Sequence, residues 1–171
     1  EDNSVSLNVT VNDTDVDGTI DAATVDLDPA TAGIQTTFTV ANEGTYTVDN
    51  SGVVTSTPVA NFNGIASPVN YTVNDDDGTT SNTATITVTV TNVNDAPIAN
   101  NDSISTAEET PVSLNVTAND TDVDGTIDAA TVDLDPATAG IQTTFTVANE
   151  GTYTVDNSGV VTFTPVANFN G

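Results

Sequence analysis

Residues 12–21 read Asn-Asp-Thr-Asp-Val-Asp-Gly-Thr-Ile-Asp and set Asp13, Asp15, Asp17 and Asp21 within ten positions of a chain that has no Lys, Arg or His. Closely spaced carboxylates with no basic side chain beside them are the donor chemistry of a hard divalent cation, calcium above all. On an EF-hand template the four acids take the first, third, fifth and ninth places, with Gly18 at the sixth and Ile20 at the eighth. The twelfth place holds Thr24 where a bidentate Glu is required, and no helical pattern flanks the loop, so an EF-hand is not met. The competing reading is an Asp- and Gly-rich turn with its acids in water. Repulsion weighs against it: two carboxylates about 4 Å apart at an effective dielectric near 20 cost about 4 kcal/mol, which a bound cation removes. The same set recurs as Asp120, Asp122, Asp124 and Asp128.

Other chemistry is largely excluded. Without His, Cys or Lys nothing activates a serine or serves as a nitrogen base. Paired carboxylates can hydrolyse glycosides, but these acids lie between Gly and Asn with no aromatic sugar platform beside them, and the chain reads as no enzyme. A formal charge of −25 excludes nucleic acid and anionic membrane surfaces as partners, because those require Lys and Arg to displace counterions. The absence of Cys removes disulfides and thiolate zinc sites. No apolar run approaches the roughly 20 residues of a membrane span, so direct membrane insertion is not expected. The sequence has neither a signal peptide nor an initiator Met and reads as an internal piece of a longer protein.

The elements that must position these acids follow from an internal repeat. Residues 6–64 recur as residues 113–171, and the 59 aligned positions differ only at Val11, which becomes Ala118, and Ser56, which becomes Phe163. The period of 107 residues suits an independently folding domain rather than a solenoid unit. Apolar residues alternate with Thr at a period of two: Val5, Leu7, Val9 and Val11; Phe38 and Val40; Tyr46 and Val48; Val69, Tyr71 and Val73; Ala84, Ile86, Val88 and Val90. This is strand alternation with one buried face. Residues 49–52 (Asp-Asn-Ser-Gly) predict a hairpin, and Asn63-Gly64 and Asp77-Gly78 predict further turns. Seven or eight short strands per repeat and no helix give an all-β class, with tandem antiparallel β-sandwiches of Ig-like connectivity.

The boundary is placed at Asn94-Asp95-Ala96-Pro97, giving a first repeat over 1–95 and a second over 96–171. The first lacks the counterpart of a strand expected at residues 102–106. The second stops before counterparts of residues 68–73 and 83–91, its last two strands. Tyr46 and Tyr71 lie on the apolar phase and are expected in the core. Ser56 stands where the second copy has Phe163, so the first copy has lost a core aromatic.

The combination NDTDVDG, TPVANFNG, YTVNDDDG and TNVNDAP, spread over the whole chain, resembles the cadherin-like tandem repeats of giant calcium-dependent bacterial surface adhesins, the type exported with RTX repeats by type I secretion. The resemblance implies calcium bound between successive domains. Asn92, Asn94 and Asp95 then stand for linker ligands, and Asp122 and Asp124 for the paired aspartates at the top of the second domain. Glu1 and Asp2, aligned with Glu108 and Glu109, match the early glutamate that reaches the lower end of a domain. Asp75 or Asp76 faces a preceding linker together with Asp15 and Asp17. The chain departs from cadherins at Asn92, where they carry an aspartate, and around residues 58–61, where their aspartate-arginine-glutamate motif has no counterpart, so one or two ions per junction are expected.

The function so implied is that of an extracellular stalk or extender on the bacterial cell surface, in a biofilm-type adhesin. Its partners are the neighbouring repeats of the same chain, and the adhesive domain with its ligand lies outside this sequence. The alternative is an adhesion module in its own right, binding glycan or protein through calcium in a lectin-like or homophilic manner.

Overall fold

The computed structural model describes residues 1–170 and divides the chain into two compact units, Glu1–Val93 and Asn94–Gly171. The division falls two residues before the position expected from Pro97, so Asn94 and Asp95 go with the second unit.

The first unit is an antiparallel β-sandwich of nine short strands: β1 (Val5–Asn8), β2 (Ile20–Asp26), β3 (Thr37–Val40), β4 (Gly44–Val48), β5 (Val53–Pro58), β6 (Gly64–Ile65), β7 (Val69–Asp75), β8 (Ala84–Ile86) and β9 (Thr89–Val90). One sheet has the order β1-β5-β4-β3 and the other β2-β7-β8, with β6 and β9 forming a small pair. Between the sheets lie Val9, Val25, Leu27, Tyr46, Val54, Val69, Tyr71, Val73 and Ile86, the alternate apolar residues whose removal from water drives the fold. The β4–β5 hairpin forms where residues 49–52 predict it. The Asp49 carboxylate accepts the amides of Ser51 and Val53, and Gly52 supplies the left-handed φ of 74° that closes the turn.

On the outer face of the first sheet the cross-strand neighbours are hydroxyls. Ser6 pairs with Thr55 at 2.8 Å and Thr39 with Thr45 at 3.1 Å. The second unit repeats both pairs, Ser113 with Thr162 at 2.8 Å and Thr146 with Thr152 at 3.2 Å.

The second unit holds a single four-stranded sheet, β10 (Val112–Asn115), β11 (Thr144–Val147), β12 (Gly151–Val155) and β13 (Val160–Pro165), in the order β10-β13-β12-β11. Its registers copy those of the first sheet: Val112 faces Phe163 as Val5 faces Ser56, and Phe145 faces Tyr153 as Phe38 faces Tyr46. The second sheet has no counterpart among the described residues. The sequence Ile-Asp-Ala-Ala-Thr-Val-Asp, which is strand β2 in the first unit, here forms a 3₁₀ turn at Ala129–Thr131 capped by Asp128.

Several expectations are corrected. Residues 102–106 join no sheet, and Ile104 is their only large apolar residue. The run at 83–91 is not one strand: Ala84–Ile86 pairs with β7, after which the chain crosses to pair Thr89–Val90 with β6. The alternation at Val5 to Val11 delivers only Val9 to the core: Val5 and Leu7 are 52% and 58% exposed within β1, and Val11, at 82%, lies in the turn that follows. Conversely, Val25 and Leu27 are core residues inside what reads as an acidic stretch.

Candidate metal-binding ends of the units

In the first unit the acids collect beyond opposite ends of β1. After β1 comes the loop at residues 12–21, held against the β7–β8 turn. Asp13 is committed to the core: its carboxylate receives the Tyr71 hydroxyl at 3.2 and 3.3 Å, shared with the Val9 carbonyl at 3.0 Å. Burial and then the Asp13 charge push the Tyr71 phenol up to about 12. Asp15 folds over the loop and accepts the Asp17 amide at 3.4 Å. Asp21 accepts the Ala23 amide, and its carbonyl takes the Thr24 hydroxyl, whose oxygen accepts the Asn74 amide of β7.

Of Asp75 and Asp76, the fold selects one. Asp75 accepts the amides of Asp77 and Thr79 and serves its own turn. Asp76 reaches across to the loop: its Oδ1 takes the Thr19 amide at 2.7 Å and its own amide donates to the Thr19 carbonyl at 2.9 Å. The Thr19 amide holds the Asp76 carboxyl below the usual range. Both Asp76 and Asp15 border Gly18, where a Cβ would run into Asp76 Oδ1 and stand 2.7 Å from Asp15 Oδ2. The glycine thus allows two carboxylates 61 positions apart in the chain to share one small space.

Before β1, Glu1 is buried. Its carboxylate accepts the Val93 amide through Oε1 at 3.3 Å, while Oε2 is enclosed with no hydrogen-bond partner. Asp2, in the left-handed region at φ 59°, accepts the amide of Asn61 at 3.2 Å. Glu1 and Asp2 therefore meet the chain around Asn61 and Val93, one residue past Asn92, the region where the resemblance places the lower-end ligands.

The second unit arranges its loop differently. Asp95 donates its amide to Asp124 Oδ1 at 3.1 Å, and Asp122 Oδ1 accepts the amides of Asp124 and Gly125 at 3.2 and 2.9 Å. A backbone bridge between Ile98 and Thr121 lays the segment after Asn94 along this loop, and the Asn94 side chain donates to the Asp95 carbonyl. With no tyrosine opposite it, Asp120 accepts the Asn100 amide at 2.8 Å. Asp128 caps the 3₁₀ turn through the Ala130 amide. Glu108 and Glu109, twins of Glu1 and Asp2, are exposed.

The fold therefore brings the Asp15 carboxylate to that of Asp76 and sets the Asp95 backbone amide on the Asp124 carboxylate, while Asp13 is engaged by Tyr71 and Asp75 and Asp128 serve their own turns. Among the described residues no group of three or more Asp or Glu side chains is gathered tightly enough to hold a metal ion by itself. The donor set is all oxygen and suits calcium in kind, and the enclosed Glu1 Oε2 is the sort of acceptor a cation satisfies. In number each gathering is short of the six to eight oxygens, roughly, that calcium takes.

Two antiparallel sheets packed over one apolar layer, with the register of the first sheet repeated in the next unit, define an Ig-like β-sandwich repeat. In agreement, the family model described as bacterial Ig domain matches residues 94–171. The model described as surface adhesin CshA repetitive domain matches residues 3–90, more than half of the chain, and the chain belongs to this family of bacterial surface-adhesin repeats. That assignment is coarser than the cadherin-like, RTX-exported type the motifs resemble. No curated protein matches the chain.

Proposed function

We propose that this chain is a spacer segment of a surface adhesin, a run of β-sandwich repeats that holds a distal adhesive domain away from the cell and is stiffened by calcium where successive repeats meet. The observation that supports it is the meeting of the Asp15 and Asp76 carboxylates at Gly18, brought from two loops by tertiary structure, in a chain with no basic side chain to neutralise them. This gathering would hold part of a calcium shell, completed by backbone carbonyls, water and a neighbouring repeat. Such open sites fit the roughly 10⁻⁴ to 10⁻³ M affinity of extracellular modules. A chain of this design stays loose where calcium is scarce and gains stability by mass action outside the cell. Near-identical copies suit a spacer, which benefits from number, whereas a ligand-binding domain needs a distinctive surface.

The test is thermal melting and small-angle scattering of the chain in calcium, in magnesium and in chelator. At calcium about one hundred times Kd each bound ion adds about 2.7 kcal/mol, so melting should rise by several degrees and the maximum dimension should become fixed. Asp76→Asn and Asp122→Asn should each weaken the response. If neither stability nor dimension responds to calcium, the reading is wrong.

A further inference from the structure

We infer that strand β3 and its twin β11 are side-by-side association sites, at which a second copy of this chain adds its own edge strand, antiparallel, by main-chain hydrogen bonds. The inference stands apart from the calcium reading. β3 ends the order β1-β5-β4-β3 and β11 ends β10-β13-β12-β11, so each is paired on one side only. Each copy of the repeat contains the stretch the other lacks: residues 65–93 have no counterpart in the second unit, and residues 94–107 have none in the first. In neither copy does any described strand cover this edge, so its openness does not depend on either stretch.

The ladder decides which groups face outward. The Val48 amide donates to the Thr36 carbonyl at 3.0 Å, which makes Thr36 with Val48 a hydrogen-bonded pair and, by alternation, Phe38 with Tyr46 the next. The main-chain N–H and C=O of Thr37 and Thr39 therefore point away from β4. In the second unit the Val155 amide donates to the Thr143 carbonyl at 3.0 Å, and Thr144 and Thr146 point outward in the same way. Among the described residues nothing bonds to these outward amides and carbonyls.

Natural sheet edges are guarded by Lys, Pro, inward charge or a bulge. Thr37–Val40 reads Thr-Phe-Thr-Val, its register with β4 is unshifted, and residues 29–42 carry no carboxylate in a chain that has 25. Residues 136–149 repeat this. The edge is also its own complement. With a twofold axis beside Phe38, Thr37 of one copy faces Thr39 of the other and exchanges both main-chain bonds, and the reciprocal pair does the same. The two Phe38 residues then meet at the close position between the bonded pairs, and opposed aromatics and opposed threonines are favourable cross-strand neighbours. A four-residue edge buries little, so one contact is weak and gains by repetition. Each copy carries a charge of −25, so salt should strengthen the contact, the reverse of an ion-paired one.

The test is sedimentation equilibrium of the 171-residue chain in chelator, up to about 1 mM chain and at low and high salt. The expected result is reversible association that tightens at least about tenfold between about 20 and about 500 mM salt. In the associated form the amides of Thr37, Thr39, Thr144 and Thr146 should gain exchange protection. Thr39→Pro together with Thr146→Pro removes one outward donor from each edge, where proline is tolerated, and should leave a monomer whose melting is unchanged. Thr146→Pro alone leaves one edge and should stop assembly at the dimer. Because proline can strain a strand, Thr39→Glu together with Thr146→Glu is the second variant: it keeps every main-chain group and should weaken association at least about tenfold at low salt, with recovery at high salt. No association overturns the inference, as does association untouched by both double variants. Exchange protection confined to other residues also overturns it, and would place the contact on another surface.

Discussion

The same seven residues, Ile-Asp-Ala-Ala-Thr-Val-Asp, form strand β2 in the first unit and a capped 3₁₀ turn in the second. Nothing local distinguishes the two. In both, the Asp that closes the segment, Asp26 or Asp133, accepts the amides two and nine residues further on. In both, the hairpin Asp, Asp49 or Asp156, caps its turn in the same way. What differs is the presence of β7, which supplies the ladder. Turns and hairpins are thus properties of the short sequence, whereas this strand is a property of its partner. The consequence in packing is large: Tyr46 is 1% exposed, whereas its twin Tyr153 remains partly open and the neighbouring Phe145 is 39% exposed.

This comparison can be broken or sharpened by experiment. The largest effect should come from Tyr46→Ala, which empties a closed core and should cost about 3–5 kcal/mol, while Tyr153→Ala in the half-covered sheet should cost less than half of that. Two melting transitions assigned by the single variants would measure the difference, and equal losses would show that both sheets are covered alike in solution. Next in size, Ser56→Phe should raise the stability of the first unit by about 1.5–3 kcal/mol by filling the space beside it. Ser56 is 5% exposed, so an unchanged melting temperature would mean that the ring turns outward. The reverse change, Phe163→Ser, removes the ring that lies tilted against Tyr153, centroids 4.6 Å apart, and should lower the stability of the second unit.

The smallest effect is alkaline. The Tyr71 phenol is pushed up to about 12, so between pH 10 and 12 the unfolded chain loses a proton that the folded unit keeps. Stability should therefore be complete below about pH 10 and fall as pH rises through the folded value. The loss should be confined to the first unit, which alone has this tyrosine, and should shrink in Asp13→Asn, where the neighbouring charge is gone. Unfolding titrations monitored by phenolate absorbance would check it.

Much of the fold was legible in the sequence because Thr and Val alternate so regularly. The β4–β5 hairpin, the core places of Tyr46 and Tyr71 and the sandwich class follow from period and turn chemistry. The misses have physical causes. Val25 and Leu27 are masked in the sequence by Asp21, Asp26 and Asp28 around them, although their spacing of two is the signal of a buried strand face. The run at 83–91 alternates without interruption, and nothing in it marks the point where the strand changes sheets. At the candidate site, spacing suggested one continuous acidic loop. The structure instead divides it, giving Asp13 to a core hydroxyl and pairing Asp15 with Asp76, a juxtaposition that only the β2–β7 register creates.

The hydroxyl pairs on the outer sheet faces have a consequence of their own. Opposite charges paired across such a face would lose their attraction as ions screen it. Here Ser6 with Thr55 and Thr39 with Thr45, and their twins, hold neighbouring strands by uncharged groups. These strand pairings are therefore ones that salt does not screen. The lateral cohesion these pairs supply is the same in fresh and in brackish water.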